Sequence, residues 1–243
     1  MHKQIALIRL RRFLNMMGLR KKKIFAIGYN KSGTTSLHAL FQSLGLPSYH
    51  GTKWRECDDL GLLRSFDCFS DGIPHDLEKL DRIFPHSKFI LQVRELEAWI
   101  YSRLSHIERE RAANIYQEGN PLWDATEEAI KSWIKLRNDY HLFVLSYFSE
   151  RPDDFLVVNF TKDADAANKI CRFLGYSSSI YIKPDKNKNP YKQPPKKHLE
   201  MVSNSMRELK IPQLEMKYDI YCPSLVSEQS KFRPPADTSL FKE

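Results

Sequence analysis

Ile24-Phe25-Ala26-Ile27-Gly28-Tyr29-Asn30-Lys31-Ser32-Gly33-Thr34-Thr35-Ser36 decides how this chain is read. The four apolar residues Ile24–Ile27 form a short run of the kind that makes a buried strand. Leu37, Leu40, Phe41 and Leu44 follow at the spacing of one helix face. A strand, a glycine-containing turn and a helix N-terminus in that order make a cradle for phosphate. The N–H groups of a first helical turn and the positive end of the helix dipole both face an anion there. Gly33 permits close backbone approach. Ser32, Thr34, Thr35 and Ser36 offer hydroxyls, and Lys31 offers an ammonium group.

The loop is not a Walker A motif, which requires Gly-x4-Gly-Lys-[Ser/Thr]. Gly28 and Gly33 have that separation, but Thr34 stands where the lysine belongs and the lysine lies inside the loop at Lys31. Lys31-Ser32-Gly33-Thr34-Thr35 resembles the 5′-phosphosulfate loop of sulfotransferases that use 3′-phosphoadenosine-5′-phosphosulfate (PAPS). The plainer alternative is a strand–helix turn with a Ser/Thr cap. A second segment supports the resemblance. Lys88–Val93 reads as a buried strand ending at Arg94, and Ser102 follows on the next helix. That spacing is similar to the family's 3′-phosphate site, an Arg at a strand end and a Ser on the following helix. An arginine fork and a hydroxyl are suitable donors for a phosphate. Many members carry Asp-Pro after the Arg, whereas this chain has Glu95-Leu96. A third, weaker match is the strand Phe155–Phe160 and the helix from Asp163, closing in Phe173-Leu174-Gly175. The resemblance runs from about Lys23 to Tyr176 and fades past Tyr181. It implies an α/β fold with a mostly parallel central sheet flanked by helices, of the P-loop-like sulfotransferase type. It also implies PAPS as sulfuryl donor and 3′-phosphoadenosine-5′-phosphate (PAP) as product. A sulfuryl group carries less charge than a phosphoryl group and the sequence offers no obvious acidic metal pair, so no metal is expected to be required.

Composition is that of one α/β domain: 243 residues, of which 42% are hydrophobic, enough for a sizeable core. Residues 1–22 read as a basic amphipathic segment, and 23–243 as a single domain with an irregular extension from about 192. The four cysteines show no metal-ligand spacing and read as ordinary thiols. Arg9, Arg11 and Arg12 interrupt the N-terminal apolar patches, leaving nothing near the ~20 apolar residues of a membrane helix. Leu7, Leu10, Leu14 and Met17 could instead line one side of a helix that packs on the domain or lies on a membrane surface. Many eukaryotic relatives in the resembled family have an N-terminal anchor. With no such segment seen here, the expectation is a cytoplasmic enzyme.

The formal net charge is +8. It suits an anionic donor and could steer an acidic glycan. No nucleic-acid module is recognisable, and the basic runs, Arg20–Lys23 among them, read as solvated charge. The family often closes its nucleotide site with a basic loop where this chain has Lys186-Asn187-Lys188, which the resemblance makes candidate nucleotide contacts.

Phe66–Ser70 reads as a strand and Asp71–Pro74 as the turn leaving it. Ligands sit beyond the carboxyl ends of strands in open α/β sheets. Asp71 is therefore the candidate general base if this strand neighbours the first, with His75 second. Glu56, Asp58 and Asp59 are further candidates, and a turn cap is the alternative role for Asp71. His50 and Trp54, read as loop residues, could line the pocket. Helices are expected over Ala125–Glu150 and around His198–Leu209. The expected acceptor is a hydroxyl or amine on a carbohydrate or small metabolite. A nucleotide-dependent kinase and an inactive sulfotransferase-like binding module are the alternatives.

Overall fold

The computed structural model describes residues 2–20, 22–114, 124–176 and 194–227. In chain order the elements are α1 (His2–Met16), β1 (Ile24–Ala26), α2 (Thr34–Ser43), β2 (Ser48–His50), α3 (Leu60–Ser65), β3 (Cys68–Ser70), α4 (Leu77–Ile83), β4 (Lys88–Gln92), α5 (Leu96–Ala112), α6 (Glu127–Tyr147), β5 (Phe155–Val158), α7 (Ala166–Phe173) and α8 (Lys196–Glu208). They fall into two compact units. One comprises Met1–Val93 with Arg151–Lys188, the other Arg94–Glu150 with Asn189–Glu243.

The first unit is built on a five-stranded sheet of order β2-β3-β1-β4-β5 in which every pairing is parallel. This is the α/β class expected from the sequence. Side chains alternate across the strands. Phe25, Phe69 and Phe89 share one face, with the Phe69 and Phe89 ring centroids 5.3 and 5.5 Å from that of Phe25. Trp54 and Phe84 close over them, each 6.0 Å from Phe25. Ala26, Cys68, Ile90 and Val158 share the core of the other face with Leu37, Leu40 and Phe41 of α2 and Ile170 and Cys171 of α7. Burying a side chain of this size is worth roughly 1.5–3 kcal/mol.

Three helices of this unit stop in the same way. Gly18 after α1, Gly45 after α2 and Gly175 after α7 have φ of 71°, 70° and 77°. At α7, Gly175 N–H bonds to Arg172 O at 3.0 Å and Tyr176 N–H to Cys171 O at 2.9 Å. This paired closure needs a left-handed residue, which glycine supplies without strain.

The N-terminal segment packs as a helix on this unit. Gln4 donates to Ser43 O at 2.7 Å, and Arg11 to Leu44 O and Gly45 O at 3.2 and 2.9 Å. Asn15 donates to Asp67 at 2.8 Å, and Arg20 grips the same carboxylate with two bonds, of 3.0 and 2.9 Å. Lys23 corrects the reading of its basic run as solvated. It is buried, and its ammonium donates to Asn15 Oδ1, Arg64 O and Phe66 O at 3.0, 3.2 and 2.7 Å. Burial lowers its pKa to about 8.

The second unit packs α5, α6 and α8 with short 3₁₀ turns at Gln213–Lys217 and Pro223–Leu225. Trp99 and Trp133 are buried in it. The Arg103 guanidinium lies 5.1 and 4.4 Å from their ring centroids. Such a contact gives a buried cation an electrostatic partner. Arg137 donates to the carbonyls of Arg94, Tyr218 and Asp219 at 3.1, 3.3 and 2.6 Å. All four cysteines are free and buried.

Candidate functional site

The loop after β1 is held by a buried glutamine. Gln92, at the end of the neighbouring strand β4, accepts from Gly28 N–H at 2.9 Å and donates back to Gly28 O at 3.1 Å. A Cβ at Gly28 would stand 2.0 Å from Gln92 O, so this position has room for glycine alone. Lys31 then takes a left-handed conformation, φ 66°, and Gly33 caps α2 at φ 95°. The Ser32 hydroxyl donates to Tyr29 O across the turn. Thr161, after β5, lies against Gly33: a Cβ there would be 3.4 Å from its methyl group. Thr161 is fixed by Asn159, whose side-chain oxygen accepts from its N–H and hydroxyl at 3.1 and 2.7 Å. Thr34, Thr35 and Ser36 form the first turn of α2, so the hydroxyls named from the sequence sit at the dipole's positive end.

β3 is the direct neighbour of β1, as the placement of Asp71 requires. Asp71 follows the last residue of β3 with φ 97°, a rare conformation for a residue with a side chain. It caps no helix: α4 is capped by Asp76, which accepts from Lys79 N–H at 2.8 Å. His75 lies with Glu56, Nδ1 to Oε2 3.1 Å, and both are exposed. Asp58 pairs with Lys79, and Asp59 caps α3 through Leu62 N–H at 2.8 Å.

His50 is the residue that sequence reasoning undervalued. It is not in a loop but ends β2, in register with Ser70 of β3. Its Nδ1 lies 3.0 Å from Ser70 Oγ and its Nε2 3.3 Å from Thr35 Oγ1. His38 stacks on it, ring centroids 5.3 Å apart, and bonds Ser48 Oγ at 2.8 Å. Burial lowers the His50 pKa, with the Asp71 charge raising it and Lys31 lowering it in turn. His38 is pushed down to about 4, mainly by burial and secondarily by His50. Lys31, Thr35, His50 and Asp71 are therefore neighbours at the carboxyl end of the sheet. Trp54 does not line this group. It is buried in the phenylalanine layer and donates to Ser70 O at 3.0 Å.

In the second unit, Arg94 follows the last residue of the first, and its carbonyl is held by Arg137. Burial lowers the Arg94 pKa and the adjacent Glu95 raises it. Ser102 lies on α5, as expected, some 9 Å along the helix from its start. Lys186, Asn187 and Lys188 lie outside the described residues. Among the described residues no group of three His, Cys, Asp or Glu is placed to hold a metal ion, and no helix is long and apolar enough to cross a membrane.

One solved structure of similar fold is a sulfotransferase. It comes from Alicyclobacillus acidocaldarius, is 16% identical, and has a TM-score of 0.49 over 78% of this chain and 92% of that one. A likeness at this level carries no functional argument. No family model matches the chain, and no curated protein does.

Proposed function

We propose that this protein is a sulfotransferase that uses PAPS and delivers the sulfuryl group to a hydroxyl or amine of a carbohydrate or small metabolite. The observation that carries this reading is the meeting of Lys31, the α2 N-terminus, His50 and Asp71. The donor set suits a phosphosulfate: one ammonium, several hydroxyls and a helix dipole, all favouring anionic oxygen. When bound, the donor supplies a sulfuryl group on a phosphate leaving group, so a bond from sulfur to the acceptor forms as the bond to the 5′-phosphate breaks.

Lys31 and the first turn of α2 stabilise the negative charge that builds on the leaving phosphate, without needing to reorganise. His50 accepts the acceptor's proton at Nε2. With Nδ1–H donated to Ser70 Oγ, the Nε2 lone pair points to the Thr35 side, next to the loop. Asp71 is assigned the support of the imidazolium that results, rather than proton removal itself. His75, paired with Glu56, is given no step. Arg94 and Ser102 are assigned the nucleotide's 3′-phosphate on their sequence pattern, and Lys186, Asn187 and Lys188 further nucleotide contacts on the same basis.

Thermal denaturation with added nucleotide tests the donor. PAP binding should raise the midpoint, by ligand linkage, well above any shift from ADP or Mg-ATP. Arg94→Ala should remove most of the advantage of PAP over ADP. Stabilisation by Mg-ATP with no response to PAP would replace this reading with a kinase.

A further inference from the structure

Among the described residues, none covers the outer face of α1, which is mostly apolar. Gln4, Arg11 and Asn15 turn inward to their partners on the first unit. Ile5, Arg9, Phe13 and Met16 recur at helical spacing on the opposite side, with Leu10 beside them. Leu10 is 55% exposed, Phe13 58% and Met16 69%. Met17 and Leu19, just past the helix, are exposed as well. Single exposed hydrophobic residues are ordinary, but several gathered on one helix face mark an interaction surface.

Charge identifies the partner. Of the 38 lysines and arginines, eight fall in the first 23 residues, and none of the 30 acidic residues does. The rest of the chain is balanced, so this segment carries the whole net charge of +8. Arg9 and Lys22 are exposed, and Arg12, also exposed, lays its guanidinium 4.6 Å from the Phe66 ring centroid. Arg9, within the apolar face, has a stem long enough to lie along apolar surface with its head in a polar layer. An exposed, mostly apolar face on a segment with eight cations and no acid matches the boundary between acyl chains and anionic headgroups. A nucleic acid would leave Leu10, Phe13 and Met16 without apolar partners.

We infer that the outer face of α1 docks on a bilayer containing anionic lipid. The helix stays folded on the protein while it does so, because its inner face is already bonded. It contacts the C-terminal end of α2, at Ser43, Leu44 and Gly45. The phosphate loop is at the other end, about 15 Å along the helix axis. Docking therefore engages the end of α2 remote from the loop.

The test is flotation of the full-length protein with vesicles of phosphatidylcholine, with or without phosphatidylserine. Association is expected with the phosphatidylserine vesicles only, and high salt should weaken it. A Leu10→Glu/Phe13→Glu variant should lose at least about tenfold in partitioning, and Arg9→Gln should lose less. Both should keep the wild-type melting temperature, since these side chains face solvent. Failure to float, equal binding to both vesicle types, or unchanged binding by the double variant would overturn the inference. So would sedimentation showing a dimer that the double variant abolishes, since the face would then belong to a second copy.

Discussion

In the proposed mechanism His50 takes the acceptor's proton and Asp71 supports the charge that results. Asp71 holds an unfavourable φ of 97° at the end of β3 and caps no helix. Such strain persists where surrounding structure imposes it, often at functional sites. His50 sits between Thr35 and Ser70 with its pKa lowered by burial. That lowering favours the neutral ring, the form that can take a proton. The expected loss of turnover in His50→Gln is about 10²–10⁴-fold, and in Asp71→Asn it is smaller. The sign of the pH effect follows from the same charges. Protonation of His50 removes the base, so the rate should fall on the acid side, at a pH below the ordinary histidine value of ~6.5. Asp71→Asn removes the influence that raises the His50 pKa, so that acid limb should move to still lower pH. A pH–rate profile of both variants checks this. A normal rate in His50→Gln with a collapsed rate in Asp71→Asn would return the proton to Asp71.

At the scale of elements, the turn from β1 into α2 is the part with least tolerance. Gly28 meets Gln92 so closely that a methyl group cannot be placed without moving β1 from β4. Gly28→Ala should lower the melting temperature and weaken PAP binding together, by melting curves with and without ligand. An unchanged melting temperature would mean that the two strands are not locked as described. The turn itself was legible in the sequence, because apolar run, glycine spacing and helix face all lie within a few residues of one another. β4, α5, α6 and α8 were legible from their own apolar runs and helix-face spacing. β2 was not. Its three residues carry no periodicity, and their place beside β3 depends on a contact twenty positions away, His50 with Ser70. The role proposed for His50 was lost with it. Lys23 was misread because the groups that satisfy its ammonium come from α1, α3 and the entry to β3. Trp54 was misplaced because nothing local distinguishes a buried indole from one lining a pocket.

On the scale of the whole molecule, the charge that first suggested an attraction to anionic nucleotides turns out to be concentrated in α1 and the residues just after it. Beyond that segment the charges balance, and the attraction proposed for a phosphosulfate rests on local geometry: one lysine, one helix end and a set of hydroxyls. That makes Lys31 the residue on which the proposed activity depends most. Removing its side chain should leave the fold intact and cost more in rate than in nucleotide affinity, because the charge it faces is largest in the transition state. The deciding measurement is mass-spectrometric detection of sulfuryl transfer from PAPS to a panel of hydroxyl and amine acceptors, by wild type and by Lys31→Ala. Sulfated product and PAP should form together with the wild-type protein, and turnover should fall by at least about 10²-fold in the variant. Sulfate transfer by Lys31→Ala at the wild-type rate would contradict the account.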